Sequence, residues 1–114
     1  LNMDEKTLYY LKSISDQILV EQFMQERRAG KIIVKAESLL DFLNKTADPD
    51  VTMIITDTYF TSKMDASDFD FLERAHNRES KIVVIATSLD EKSEQDSELY
   101  KLSIKMPYIE TLLF

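Results

Sequence analysis

The chain has no cysteine, one glycine, two prolines and one histidine, and each scarcity closes off a kind of chemistry. Without cysteine there is neither a disulfide scaffold nor a thiolate metal site. A single glycine, Gly30, cannot build the Gly-rich loop that wraps a phosphate. His76 stands alone among Glu73, Arg74 and Arg78. It has no second imidazole with which to hold a metal or form a catalytic dyad, and it reads as a surface residue. No Ser/His/Asp set is credible for the same reason. No apolar run approaches the roughly 20 residues that cross a bilayer. The first apolar cluster is short and lacks the small-residue cleavage site of a signal peptide, so the expected location is cytoplasmic.

Basic charge is also in short supply. Fourteen Lys and Arg stand against twenty-one Asp and Glu, a formal net charge of −7. A domain of that sign repels phosphate backbones, which argues against direct nucleic-acid binding. The one adjacent basic pair, Arg27-Arg28, reads as the solvated end of a helix.

What is present fits one globular unit. A length of 114 residues, with 44% apolar and 31% charged side chains, is enough for a single core and typical of a soluble domain. One domain over residues 1–114 is expected. Leu1 at the start and the apolar stretch Thr111-Leu112-Leu113-Phe114 at the end suggest a piece of a longer protein.

Three runs are β-branched and continuous rather than alternating: Lys31 to Val34, Val51 to Thr56, and Lys81 to Ala86. Continuous runs suit strands covered on both faces, as in a parallel sheet between helices. Between them lie segments with helical spacing. Leu39, Leu40, Phe42 and Leu43 follow Ser38 or Glu37 as a cap and stop before Asp48-Pro49-Asp50. Phe69, Leu72 and Ala75 or His76 sit three or four apart before the third run, with Asp65, Asp68 and Asp70 at the positive end of that helix.

Near the N-terminus, Thr7 to Leu11 reads as an aromatic-rich strand followed by a helix capped by Ser15 or Asp16 and closed by Gly30. The rival is one long helix from Asp4 to Ala29. At the other end, Leu102-Ser103-Ile104 is expected to be a fifth strand. A last helix is expected to begin after Pro107 and to carry Tyr108, Leu112 and Leu113. The expected architecture is α/β: a three-layer, doubly wound, five-stranded parallel sheet of flavodoxin-like topology.

In an open parallel sheet, ligands sit beyond the carboxyl ends of the strands. On this reading the third strand ends on Asp57, the fourth on Ala86-Thr87-Ser88 and the fifth on Lys105. A carboxylate, a hydroxyl and an ammonium would converge on one edge.

That set resembles the receiver domain of bacterial response regulators. The resemblance spans nearly the whole chain in order and spacing, on short motifs. It implies that Asp57 stands at the phosphoacceptor position, Thr87 (or Ser88) at the switch hydroxyl and Lys105 at the phosphate-pairing lysine. Phosphorylating such an aspartate calls for a divalent cation, Mg²⁺ in the family, held by carboxylate oxygens. The positions of the family's metal-binding acidic pair hold Lys12 and Ser13, and an ammonium there repels a cation.

The expectation is therefore a pseudo-receiver: no catalysis, no cofactor, and regulation through protein–protein contact. By resemblance the contact face is the last part of the chain, with Leu99, Leu102, Ile104, Tyr108, Ile109, Leu112 and Phe114 serving a homodimer or a fused output domain. The alternative is a working phosphoacceptor domain that uses Asp57, Mg²⁺ and a histidine kinase. A third reading is an unrelated flavodoxin-like binding domain, because a fold does not fix a function.

Overall fold

The computed structural model describes residues 5–28, 30–86 and 109–113. The chain runs β1 (Lys6–Tyr9), α1 (Ile14–Arg27), β2 (Ile32–Lys35), α2 (Leu39–Thr46), β3 (Val51–Asp57), α3 (Thr58–Thr61), α4 (Ala66–Asn77), β4 (Lys81–Ala86) and β5 (Glu110–Leu113). All strand pairs are parallel, in the order β2-β1-β3-β4-β5.

The N-terminal segment is strand plus helix, not one long helix. Ser13 makes the break: its extended backbone caps α1 and its hydroxyl accepts from the backbone N–H of Asp16. The cap is therefore Ser13 rather than Ser15 or Asp16. The helix ends at Arg27, and Gly30, at φ 86°, supplies the left-handed turn into β2. Ser38 caps α2 through the N–H of Asp41. Asp65 and Asp68 form a reciprocal capping box on α4. That helix closes with the backbone N–H groups of Glu79 and Ser80 donating to His76 and Ala75. This geometry normally calls for glycine, and here Glu79 takes it at φ 69°.

Each face of the sheet has its own core. Leu8, Val51, Ile54 and Ile82 pack against Phe42, Leu43, Met64, Leu72 and Ala75 on the side of α2 and α4. Tyr9, Leu11, Ile55, Val83 and Ile85 pack against Val20 and Met24 of α1 on the other. The continuous β-branched runs of β3 and β4 reflect this double coverage, whereas β2 at the sheet edge is only partly covered.

The C-terminal expectation is corrected. Residues 110–113 are a strand paired with β4 from Val83↔Glu110 to Ala86↔Leu113, where a helix was expected. The fifth strand therefore starts after Lys105 and Pro107 in sequence, and Lys105 cannot be the residue that ends it. Thr87, Ser88, Leu99, Leu102, Ile104, Lys105, Tyr108 and Phe114 lie outside the described residues. Ile109 is half-buried and packs against the core on the α2–α4 side.

The amino edge of the sheet is fastened by charge. β3 carries a bulge opposite Lys6 and Thr7, because Lys6 pairs with Val51 and Thr7 with Met53. The extra residue, Thr52, donates its hydroxyl to Glu5. Lys31 lies 2.9 Å from the same carboxylate and Arg28 also pairs with it. The Thr52 hydroxyl and then Lys31 hold the Glu5 carboxyl down to about 2 from an ordinary 4.5. A depressed carboxylate stabilises the fold above its unfolded value, and that contribution fades as pH falls from about 4.5 toward about 2. Glu5 is partly solvated, so the expected share is only about 1 kcal/mol. Urea unfolding near about pH 7 and about pH 3 should show the Glu5→Gln deficit shrinking at the acid end. A deficit of equal size at both pH values would refute this account.

Candidate functional site

The carboxyl edge brings together the ends of β1 and β3, where the strand order reverses and where open α/β sheets leave a crevice. Asp57 is the last residue of β3 and the N-cap of the four-residue α3. Its side chain is fully buried. One carboxylate oxygen accepts the backbone N–H of Lys12 at 2.7 Å, and the other accepts the N–H of Phe60 at 3.0 Å. The first bond crosses from β3 to the β1–α1 loop. The second closes the turn into α3.

Burial raises the Asp57 carboxyl above its ordinary range. The N–H groups of Lys12 and Phe60 oppose that shift, Asp16 adds to it, and the Tyr59 N–H opposes it. Beside it, Tyr10 is pushed up chiefly by burial and then by Asp57. The Tyr10 carbonyl accepts the Thr56 hydroxyl at 2.8 Å, which seams β1 to β3 just below the site.

Aromatic rings and ammonium groups roof this edge. Tyr10 stacks on Phe60 with ring centroids 3.8 Å apart, and on Phe42 of α2 at 5.5 Å. Tyr59 meets Phe60 edge-on at 5.1 Å. The Lys12 ammonium lies 5.0 Å from the Tyr59 ring centre and that of Lys63 lies 4.6 Å from it.

Of the residues singled out from sequence, Asp57, Lys12 and Ser13 come together. Lys12 contributes its backbone to Asp57 and its ammonium to the roof, while Ser13 is spent on capping α1. Thr87 and Lys105 lie outside the described residues. Sequence reading missed Tyr10, Phe60 and Lys63. The signal for Tyr10 and Phe60 was an aromatic residue just after β1 and an aromatic pair just after β3, and Lys63 had none.

These donors do not fit a divalent cation. Such an ion needs several accessible oxygens. Here both Asp57 oxygens accept backbone N–H groups, Ser13 is committed to its cap, and Lys12 brings a positive charge. Among the described residues, no three His, Asp or Glu side chains gather as a metal site.

No family model matches the chain, and no curated protein matches it. Its structure is similar to the solution NMR structure of a de novo designed Rossmann 2x3 fold protein, with a TM-score of 0.55 and 12% sequence identity. The match covers 95% of this chain and 77% of that one. The likeness is one of fold alone: an α/β, Rossmann-like protein with a parallel sheet between helices. No helix among the described residues is long and apolar enough to cross a membrane.

Proposed function

We propose that the chain is a pseudo-receiver: a regulatory module of flavodoxin-like topology that catalyses no reaction and acts through protein–protein contact. One observation carries the reading. An aspartate ends β3 at the crevice, as a phosphoacceptor does, but both its oxygens are tied to backbone N–H groups and none of its surface meets solvent. A nucleophile must present a lone pair to its phosphodonor, and a metal must reach the same carboxylate. Each Asp57 oxygen keeps a second lone pair, but with none of its surface exposed the carboxylate presents it to neither. Its chemistry has become structural, joining two loops that would otherwise move independently. The strand order β2-β1-β3-β4-β5 supports the flavodoxin-like description.

The test is to titrate the protein with Mg²⁺, alone and with beryllofluoride, while following backbone amide resonances. The expected result is no saturable change at Lys12, Asp57 or Phe60. A saturable shift at those amides, with heat of Mg²⁺ binding in calorimetry, would overturn the proposal. It would favour a working phosphoacceptor instead.

A further inference from the structure

Lysines stand at both edges of the sheet, and the two edges treat them differently. At the amino edge, Lys6 lies 2.7 Å from Asp48, Lys31 lies 2.9 Å from Glu5 and Lys81 lies 3.4 Å from Glu110. At the carboxyl edge stand Lys12 after β1, Lys35 at the end of β2 and Lys63 after α3. Among the described residues, none of these three forms an ion pair with a carboxylate. A chain with twenty-one acids and fourteen Lys and Arg has acids enough to pair every base. Ammonium groups left open on one edge are therefore not a shortage of partners.

Lys12 and Lys63 are set apart from Lys35 by Tyr59. One ring holds both ammoniums, at 5.0 and 4.6 Å from its centre. The attraction of a ring face for a cation keeps together two like charges that would otherwise swing apart into water. They follow β1 and β3, on either side of the crevice where the strand order reverses. Open α/β sheets receive their ligands there. Tyr59 is itself braced, edge-on to Phe60 at 5.1 Å, and Phe60 stacks on Tyr10.

The acids of this edge do not cancel the pair. Asp57 has no exposed surface, its oxygens accept the backbone N–H groups of Lys12 and Phe60, and burial favours its uncharged form. Asp16 lies in the first turn of α1, where the positive end of the helix dipole balances it. Glu37 and Asp41 follow β2 at the outer side of the sheet, and Asp41 is taken by Lys45 at 2.6 Å.

We infer that Lys12, Lys63 and the Tyr59 ring they share form a binding site for a phosphate group, free or as the monoester of a small molecule. Each ammonium offers three N–H donors. A carboxylate satisfies one such cation, whereas a phosphate dianion has the charge and the oxygens for both. The inference rests on the pseudo-receiver reading and gives that module an input, held without a metal or a covalent bond. A phosphate seated there spans the two segments that Asp57 already joins from below, so binding tightens the same seam.

The test is a titration with inorganic phosphate and with phenyl phosphate, in EDTA and at constant ionic strength set with sodium chloride, followed by amide and lysine side-chain resonances. The expected result is a saturable shift at Lys12, Tyr59 and Lys63. Lys12→Gln and Lys63→Gln should each weaken binding about fivefold, the scale of an exposed ion pair, with an unchanged thermal midpoint. Lys35→Gln should leave binding as it is. Tighter binding of phenyl phosphate assigns the site to a monoester, and tighter binding of inorganic phosphate assigns it to the free ion. Shifts that stay linear in concentration, or that Lys35→Gln reduces as much as Lys63→Gln does, would overturn the proposal by showing only a diffuse ionic atmosphere. No metal is present and neither compound is an activated phosphodonor, so this result and the Mg²⁺ and beryllofluoride result fail separately.

Discussion

Replacing Asp57 with alanine should destabilise the fold by about 2–4 kcal/mol, because two buried backbone N–H groups lose their acceptor at about 1–3 kcal/mol each. Removing a desolvated charge offsets part of that loss. Hydrogen exchange gives the sharper readout. In the wild-type protein the amides of Lys12 and Phe60 donate to different oxygens of one carboxylate. In Asp57→Ala both should exchange faster, while amides in the middle of β3 and β4 keep their protection. Asp57→Asn should expose only one of the two, since a carboxamide accepts through its single oxygen and turns an N–H₂ toward the other donor.

The pH dependence of this residue runs opposite to that of Glu5. A carboxyl whose folded value is raised binds protons more readily in the folded state. Its contribution therefore improves as pH falls through the folded value toward the unfolded one, and the penalty is fully present above it. Unchanged protection at both amides in Asp57→Ala would remove the structural role assigned to this side chain.

The largest loss should come from Phe42→Ala, at about 3–5 kcal/mol. Phe42 has no exposed surface and fills the core between α2, α4 and the sheet while stacking on Tyr10. A domain of this size has only about 5–15 kcal/mol of stability to lose, so urea unfolding should begin at much lower denaturant. Phe42→Leu keeps most of the volume and should retain most of the stability. Near-equal midpoints for wild type and Phe42→Ala would mean that the ring is not part of the core.

How much of this was legible in the sequence depended on the range of the interaction. β3 and β4 were readable because a strand covered on both faces is apolar almost throughout, and β2, a partly exposed edge strand, was readable from its β-branched Ile and Val alone. α2 and α4 were readable from caps three residues ahead of an N–H partner. The N-terminus of α1 was not settled that way, since Ser13, Ser15 and Asp16 all qualify locally. Geometry selected Ser13.

β5 was read as helix because its four residues are too few to show a period and because Pro107 suggested a helix start. α3, also four residues long, had no periodicity to find. At the site, the position of Asp57 could be read from the end of an apolar run, but its state could not. That state depends on a backbone N–H 45 residues away. The stack of Phe42, Tyr10 and Phe60 likewise joins residues with no local signature.

That stack has a mechanical consequence. Three rings in series, from α3 through the end of β1 to α2, leave no compressible gap at the 3.8 Å step. A force applied to the turn after Asp57 has a rigid lever to act on, with its far arm in the helix layer that covers the opposite side of the sheet from α1.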